Sequence, residues 1–294
     1  MLKKLLSKFL PGNKSNADVK FSVGDMVLLL PFRHDLPKFK SKFPLYDSFL
    51  GHLVSFIPAG DLVIDVGANV GDTLFTMASG NNKLVYLCIE ADEYFFQYLQ
   101  KNMESLSINM PQMQLDHINC FIAKDVRATG LSGGDRTKKM IEAKNGEPEV
   151  KSKTLSEIYT SLYKDYNLGL IKIDVDGFDY DVINSSIDIL RGRDCFLYFE
   201  CDVHQEHNFE GYVTALKSLS TSGYSNFAVF DNFGAPILTN TCVDNVIEII
   251  RYTMRQNQSK FTRTFFYVDV LAYAPSRVEE VELVVSTYIA KYTN

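Results

Sequence analysis

The chain has 294 residues and a formal charge of −6, with 46% hydrophobic and 22% charged residues, which fits a globular protein large enough to bury a substantial core. The acidic balance and the lack of a broad basic stripe argue against nucleic acid as a general partner. Five cysteines (Cys88, Cys120, Cys195, Cys201 and Cys242) form no CxxC pair, and four lie in apolar, strand-like runs; they read as free thiols of a reducing, cytoplasmic compartment.

At the start, Leu2, Leu5, Leu6, Phe9 and Leu10 recur at helical spacing, with Lys3, Lys4 and Lys8 between them. The lysines break any secretory apolar run, and the segment is too short to span a bilayer. A basic amphipathic helix here either makes a peripheral contact with an anionic membrane or packs on its own domain or a partner. Residues 11–20 read as a linker, which sets 1–20 apart from a lead-in segment, 21–60, and a main domain, 61–294. In the lead-in, FSVGDMVLLLP predicts one strand, Pro31, Pro37 and Pro44 predict extended chain, and Tyr46 to Ile57 predicts a helix.

From Asp61 the rhythm is regular. DLVIDVG, KLVYLCIE, QLDHINCFIA, LGLIKIDVD and DCFLYFECDV are apolar runs of strand length. Between them fall helices over Asn69–Ser79, over ADEYFFQYLQKNMESL by its 3.6-residue periodicity, and over Tyr180–Leu190. FEGYVTALKSLSTSGY then reads as a helix ended by Gly223, and NFAVFDNFGAPIL and TFFYVDVLAYA as two late strands joined by a long helical connection. Alternation of this kind means an α/β fold with a mostly parallel sheet covered on both faces. Residues 125–155, rich in glycine and charge, break the pattern. They read as a hairpin or lid beside the site, or as a solvated excursion.

LVIDVGANVGDT, residues 62–73, carries the main chemical signal. A strand delivers Asp65, and Gly67-Ala68-Asn69-Val70-Gly71 turns into a helix led by Asp72 and Thr73. Such a turn needs residues without bulk, and the first helix amides face the ligand. The spacing is GxxxG instead of GxGxxG, and a carboxylate at Asp65 would repel a pyrophosphate. It suits a ligand with an ammonium beside a sulfonium, as in S-adenosylmethionine. The next strand ends in Glu90-Ala91, where a carboxylate can accept hydrogen bonds from ribose hydroxyls. Phe121, at the third strand end, either flanks an adenine or belongs to the core.

Three segments, VIDVGANVGDT (63–73), CIEADEYFFQYLQKN (88–102) and LIKIDVDGFDYDVI (170–183), resemble the FkbM family of S-adenosylmethionine-dependent methyltransferases. The likeness runs over about residues 30–275. It implies a Rossmann-like class I methyltransferase fold, a seven-stranded sheet whose last strand is antiparallel, and O-methyl transfer, often to a sugar hydroxyl in polysaccharide, lipopolysaccharide or glycoside assembly. The family commonly has Glu where this chain has Asp176 and Asp179.

Methyl transfer to a hydroxyl needs orientation and a proton acceptor. Asp174, aimed by LIKI, is the expected residue near the methyl, with Asp176 beside it, and His204 is the expected base because imidazole titrates near neutral pH. The alternatives are that Asp176 caps the following helix, that Asp179 and Asp181 serve its dipole, and that His204 and His207 are exposed loop residues. Asp174, Asp176 and Glu200 offer oxygens of the kind Mg²⁺ accepts, but without dedicated ligand spacing, so no metal is expected. His34 and Tyr46 lie ahead of the first sheet strand, placed to close over a cofactor. Competing functions are a nicotinamide-dependent oxidoreductase on a similar fold and a non-catalytic cofactor-binding module.

Overall fold

The computed structural model describes residues 17–124, 128–133, 138–142, 150–259 and 263–293. The amphipathic segment 1–10 and parts of the 125–155 excursion lie outside the described residues.

The lead-in departs from its prediction twice. In place of one strand there is a hairpin, β1 (Val19–Val23) and β2 (Met26–Leu30), turning at Gly24 with φ 58°. Gly24-Asp25 is a two-residue loop that tolerates positive φ, so two short apolar runs pair instead of continuing. The proline-rich stretch also contains a helix, α1 (Leu36–Lys42), with Pro37 in its first turn, where the missing N–H has no intrahelical bond to lose. Next comes α2 (Ser48–Leu53), extended by a 3-10 turn through Phe56, inside the expected span.

The regular unit follows: β3 (Leu62–Val66), α3 (Asp72–Gly80), β4 (Val85–Glu90), α4 (Glu93–Asn109) and β5 (Gln114–Asn119). The excursion holds β6 (Ala128–Gly133), β7 (Lys138–Glu142) and β8 (Val150–Lys151), a three-stranded antiparallel sheet, one strand more than a hairpin. The chain returns through α5 (Leu155–Ile158), β9 (Leu168–Ile173), α6 (Asp179–Leu190), β10 (Phe196–Cys201) and α7 (Glu206–Thr221). The late run expected as one strand is a second hairpin, β11 (Asn226–Asp231) and β12 (Pro236–Thr241). Asp231 Oδ1 accepts the amides of Phe233 and Ala235, each at 2.9 Å, and Gly234 takes φ 90°, so the side chain builds the turn. The last elements are α8 (Val243–Gln258), β13 (Val268–Tyr273) and a closing helix, α9 (Val278–Thr293).

The main sheet has the order β12-β11-β13-β10-β9-β3-β4-β5. β5, β4, β3, β9 and β10 are parallel, and β13 runs antiparallel to both its neighbours. The seven strands expected, with the last one reversed, are therefore present, and β12 adds an eighth at the edge. Alternate residues of β3 fall into two apolar clusters, Leu62, Ile64 and Val66 in one and Val63 in the other, so both faces of the sheet are covered. The lead-in packs into the second cluster through Leu28, Leu30, Phe49 and Leu50. The chain moves outward from β3 in both directions, to β4 on one side and β9 on the other. This switch point opens a crevice at the C-terminal strand ends.

Four cysteines are buried and Cys242 is exposed. Among the described residues, no helix is long and apolar enough to cross a membrane.

Candidate active site

A cavity of about 420 Å³ occupies that crevice. Its wall begins with the turn after β3. Gly67 has φ 78°, and a Cβ there would stand 1.8 Å from the Asp174 carbonyl oxygen, so the position accepts no side chain. The amides of Gly67 and Ala68 donate to Ile89 O at 2.9 and 3.0 Å, which ties the turn to the end of β4. Asn69 follows at φ 48° and Gly71 at φ 91°, the latter capping α3.

Glu90 is held from both sides. The Asn69 amide donates to one carboxylate oxygen at 2.8 Å and the Asp92 amide to the other at 2.7 Å. The side chain lines the cavity while the residue is only 8% exposed. Burial pushes its carboxyl up to about 7, against the lowering effect of the two amides. Each oxygen keeps a further lone pair for a ligand.

Asp65 sits elsewhere than expected. It is 1% exposed and is not among the cavity-lining residues. Lys172 Nζ approaches its Oδ1 at 3.0 Å, and the Thr73 hydroxyl donates to its Oδ2 at 2.5 Å. The carboxylate that sequence reasoning aimed at a ligand cation is thus neutralised inside the protein. Lys172 also donates to the Gly67 carbonyl at 3.2 Å and lies 3.6 Å from Asp174. Burial alone would lower its ammonium, but Asp65 and Asp174 outweigh that and hold it charged.

Of the other expected cofactor residues, Gly67, Asn69, Asp72, Thr73, Ala91 and Phe121 line the cavity, while Ala68 and Gly71 only shape the turn behind it. Phe121 is also 5% exposed, so the core and cavity readings both describe it. His34 and Tyr46 line the cavity from the lead-in, with His34 Nε2 at 3.5 Å from Asn69 Oδ1.

Asp174 and Asp176 line the wall after β9, Asp176 at φ 54°. Asp179 is fully buried and structural. It accepts the amides of Val175 and Gly177 at 3.4 and 3.2 Å and the Tyr212 hydroxyl at 3.3 Å, which fastens the loop over the start of α6. Burial, then Asp174, push its carboxyl up to about 8. After β10, Glu200 and Asp202 line the cavity. His204, expected as the base, does not. Its side chain is 47% exposed and its ring lies 2.8 Å from Asp202 Oδ1, so the carboxylate faces the cavity and the imidazole stands behind it. No group of three or more His, Cys, Asp or Glu among the described residues is arranged to hold a metal ion.

The profile described as "Methyltransferase FkbM domain" matches residues 65–233, more than half of the chain. The chain belongs to the FkbM methyltransferase family. No curated protein matches the sequence. Among solved structures, the FkbM methyltransferase of Methylobacillus flagellatus KT is similar at 11% identity and TM-score 0.40, over 73% of this chain and 44% of that one, so this chain spans less than half of that relative. An O-methyltransferase from Bacillus cereus in complex with SAH is similar at 10% identity and TM-score 0.45, over 79% and 85% of the two chains. TYW2 of M. jannaschii in complex with AdoMet gives 10%, 0.45, 87% and 85%.

Several residues of this FkbM domain and its lead-in had no readable sequence signal. Lys172 looks like one polar residue in an apolar strand, and only the register that sets it beside Asp65 shows its partner. Asn102 on α4 exchanges two hydrogen bonds with the backbone of Leu29 and donates to Val70 O at 2.8 Å, fastening the hairpin to the glycine turn. Asp47, at φ 54°, lines the cavity from the lead-in, where nothing in the local pattern sets it apart from its neighbours.

Proposed function

We propose that this FkbM-family protein is an S-adenosylmethionine-dependent O-methyltransferase acting on a sugar-type hydroxyl in carbohydrate or glycoside assembly, in the cytoplasm or at a membrane surface. The observation that carries the donor reading is Glu90: a buried carboxylate, fixed by two amides beside a glycine turn at the switch point, with lone pairs left toward a cavity of about 420 Å³. That is the arrangement a ribose diol needs, and the volume falls within the usual range of small-molecule sites. Bound donor supplies a sulfonium methyl already activated for in-line displacement. Glu90 holds the nucleoside, Asn69 and Thr73 shape the floor, and Phe121 with its neighbours keeps water out.

The hydroxyl proton must leave as the C–O bond forms. We assign it to Asp202, which faces the cavity, with His204 as the positioning residue that passes the proton to solvent. Asp174 and Asp176 orient the acceptor from the neighbouring strand end. The nicotinamide reading fares worse, because the turn lacks GxGxxG. Calorimetric titration with S-adenosylhomocysteine and with NAD decides between them. Binding of the first alone is expected, and binding of NAD alone would end the proposal.

A further inference from the structure

The cavity carries more negative charge at one end than donor binding requires. On β10 and β13, Glu200 lies directly opposite Asp269. Phe199 pairs with Ile173, so Glu200 and Asp174 leave β10 and β9 as neighbours. Asp174, Glu200 and Asp269 therefore form a row across three adjacent strands, each step about 5 Å. Like charges directly opposite one another destabilise a sheet, so such a row needs an outside reason. Asp47 adds a fourth carboxylate from the lead-in side of the same cavity.

The cations facing this row are already engaged. Lys172 is held between Asp65 and Asp174. Lys40 donates to the Tyr46 carbonyl. Glu200 lines the cavity, is 9% exposed, and has no hydrogen-bond or ion-pair partner among the described residues. A metal ion does not explain the row, since among the described residues no three such groups are arranged to hold one. Nor does the donor. Glu90 and Glu200 are three strands apart, about 14 Å by strand spacing, so a nucleoside fixed at Glu90 leaves this end to the second reactant.

We propose that Asp47, Asp174 and Glu200, which line the cavity, form a subsite for an ammonium group on the methyl acceptor, with Asp269 paired behind Glu200, so that the acceptor is an amine-bearing hydroxyl compound, an amino sugar being the type, and not a neutral sugar. This rests on the methyltransferase reading for the word acceptor, but not for the cation site itself. Burial first, then Asp174, push the Glu200 carboxyl well above the usual carboxylate range, and burial followed by Asp47 does the same to Asp269. An ammonium placed among them reverses that cost by keeping them ionised. Tyr46 and Tyr267 line the same end and supply aromatic rings of the kind that attract cations.

The test is calorimetric titration of the full chain, with and without saturating S-adenosylhomocysteine. D-glucosamine, D-galactosamine and ethanolamine are each compared with D-glucose, D-galactose and ethylene glycol. At least one amine is expected to bind about tenfold or more tighter than its neutral counterpart, and Glu200→Gln should remove most of that preference. The proposal is overturned if no amine outbinds its counterpart, or if the Gln variant, shown to be folded by its melting curve, keeps the full preference. Should that variant not fold, Asp47→Asn, at a residue that lines the cavity, carries the same test. Failure of S-adenosylhomocysteine to bind would sink the donor reading and leave the amine comparison standing.

Discussion

Replacing Lys172 by Met tests the internal salt bridge most directly. The side chain keeps its length and apolar stem but loses the charge that stands 3.0 Å from Asp65. At that distance the gross attraction is about 5–6 kcal/mol for an effective dielectric of ~20. Removing one partner of a buried pair typically costs about 3–5 kcal/mol, because the other charge is left without compensation. Both residues are nearly inaccessible, Lys172 at 3% and Asp65 at 1%, so little of that cost is recovered through solvent. Against a total stability of about 5–15 kcal/mol this is a large fraction. With a urea slope of about 3 kcal/mol per molar, the unfolding midpoint should fall by about 1–1.7 M. Asp65→Asn combined with Lys172→Met removes both charges and should regain most of the stability. Urea melts followed by circular dichroism at pH 7, on all four members of the cycle, give the answer. A penalty under about 1 kcal/mol at pH 7, or a double variant no better than Lys172→Met, would refute the argument that Asp65 is neutralised within the fold.

Gly67→Ala should cost about 3 kcal/mol or more and abolish S-adenosylhomocysteine binding, because its Cβ would overlap a backbone carbonyl. Gly71→Ala meets only the tip of Leu99 at 3.0 Å, so thermal melts should show about 1 kcal/mol there, and equal losses at both positions would contradict the geometry. Glu90 and Asp179 have folded carboxyls raised to about 7 and about 8. Each therefore binds its proton more tightly folded than unfolded, and the ligand-free protein should lose stability as pH rises from about 4.5 to about 8, read as a falling melting temperature. A ribose diol prefers ionised Glu90, so S-adenosylhomocysteine affinity should rise with pH by up to about tenfold per unit and level off near 7; a flat profile in calorimetry would argue against that contact. In transfer assays with the acceptor that titration identifies, Asp202→Asn should lose about 10²–10⁴-fold in rate and His204→Ala clearly less, whereas the reverse order would make the imidazole the direct base.

The sheet was legible because its central strands are apolar on both faces and its helices are periodic, and those signals are local. The GxxxG turn and Glu90 were legible for the same reason, since a strand end followed by glycine is a contiguous pattern. The hairpins at Gly24 and Asp231 were not. Each is a short polar interruption inside an apolar run, and a run reads as one strand unless turn chemistry is weighed at every Gly and Asp. Lys172 was missed for a different reason. Its role depends on which strand lies beside which, and β3 and β9 are separated by about a hundred residues.

The strain in the backbone supports the same location for function. Among the described residues, four non-glycine positions take positive φ: Arg33, Asp47, Asn69 and Asp176. Three of them line the cavity, and Arg33 adjoins His34, which does too. Asn and Asp tolerate this conformation best, yet each such residue still costs free energy that an ordinary turn would not. The same wall holds Glu200 unpartnered and a row of carboxylates across three strands. Below the floor the opposite holds, with Asp65 neutralised by Lys172, Asp179 satisfied by two amides and a hydroxyl, and both sheet faces packed in apolar side chains. Positive-φ strain outside glycine is thus concentrated, among the described residues, at the cavity wall. Substitutions there that relax strain or charge should raise stability while lowering binding, and substitutions one layer down should lower both.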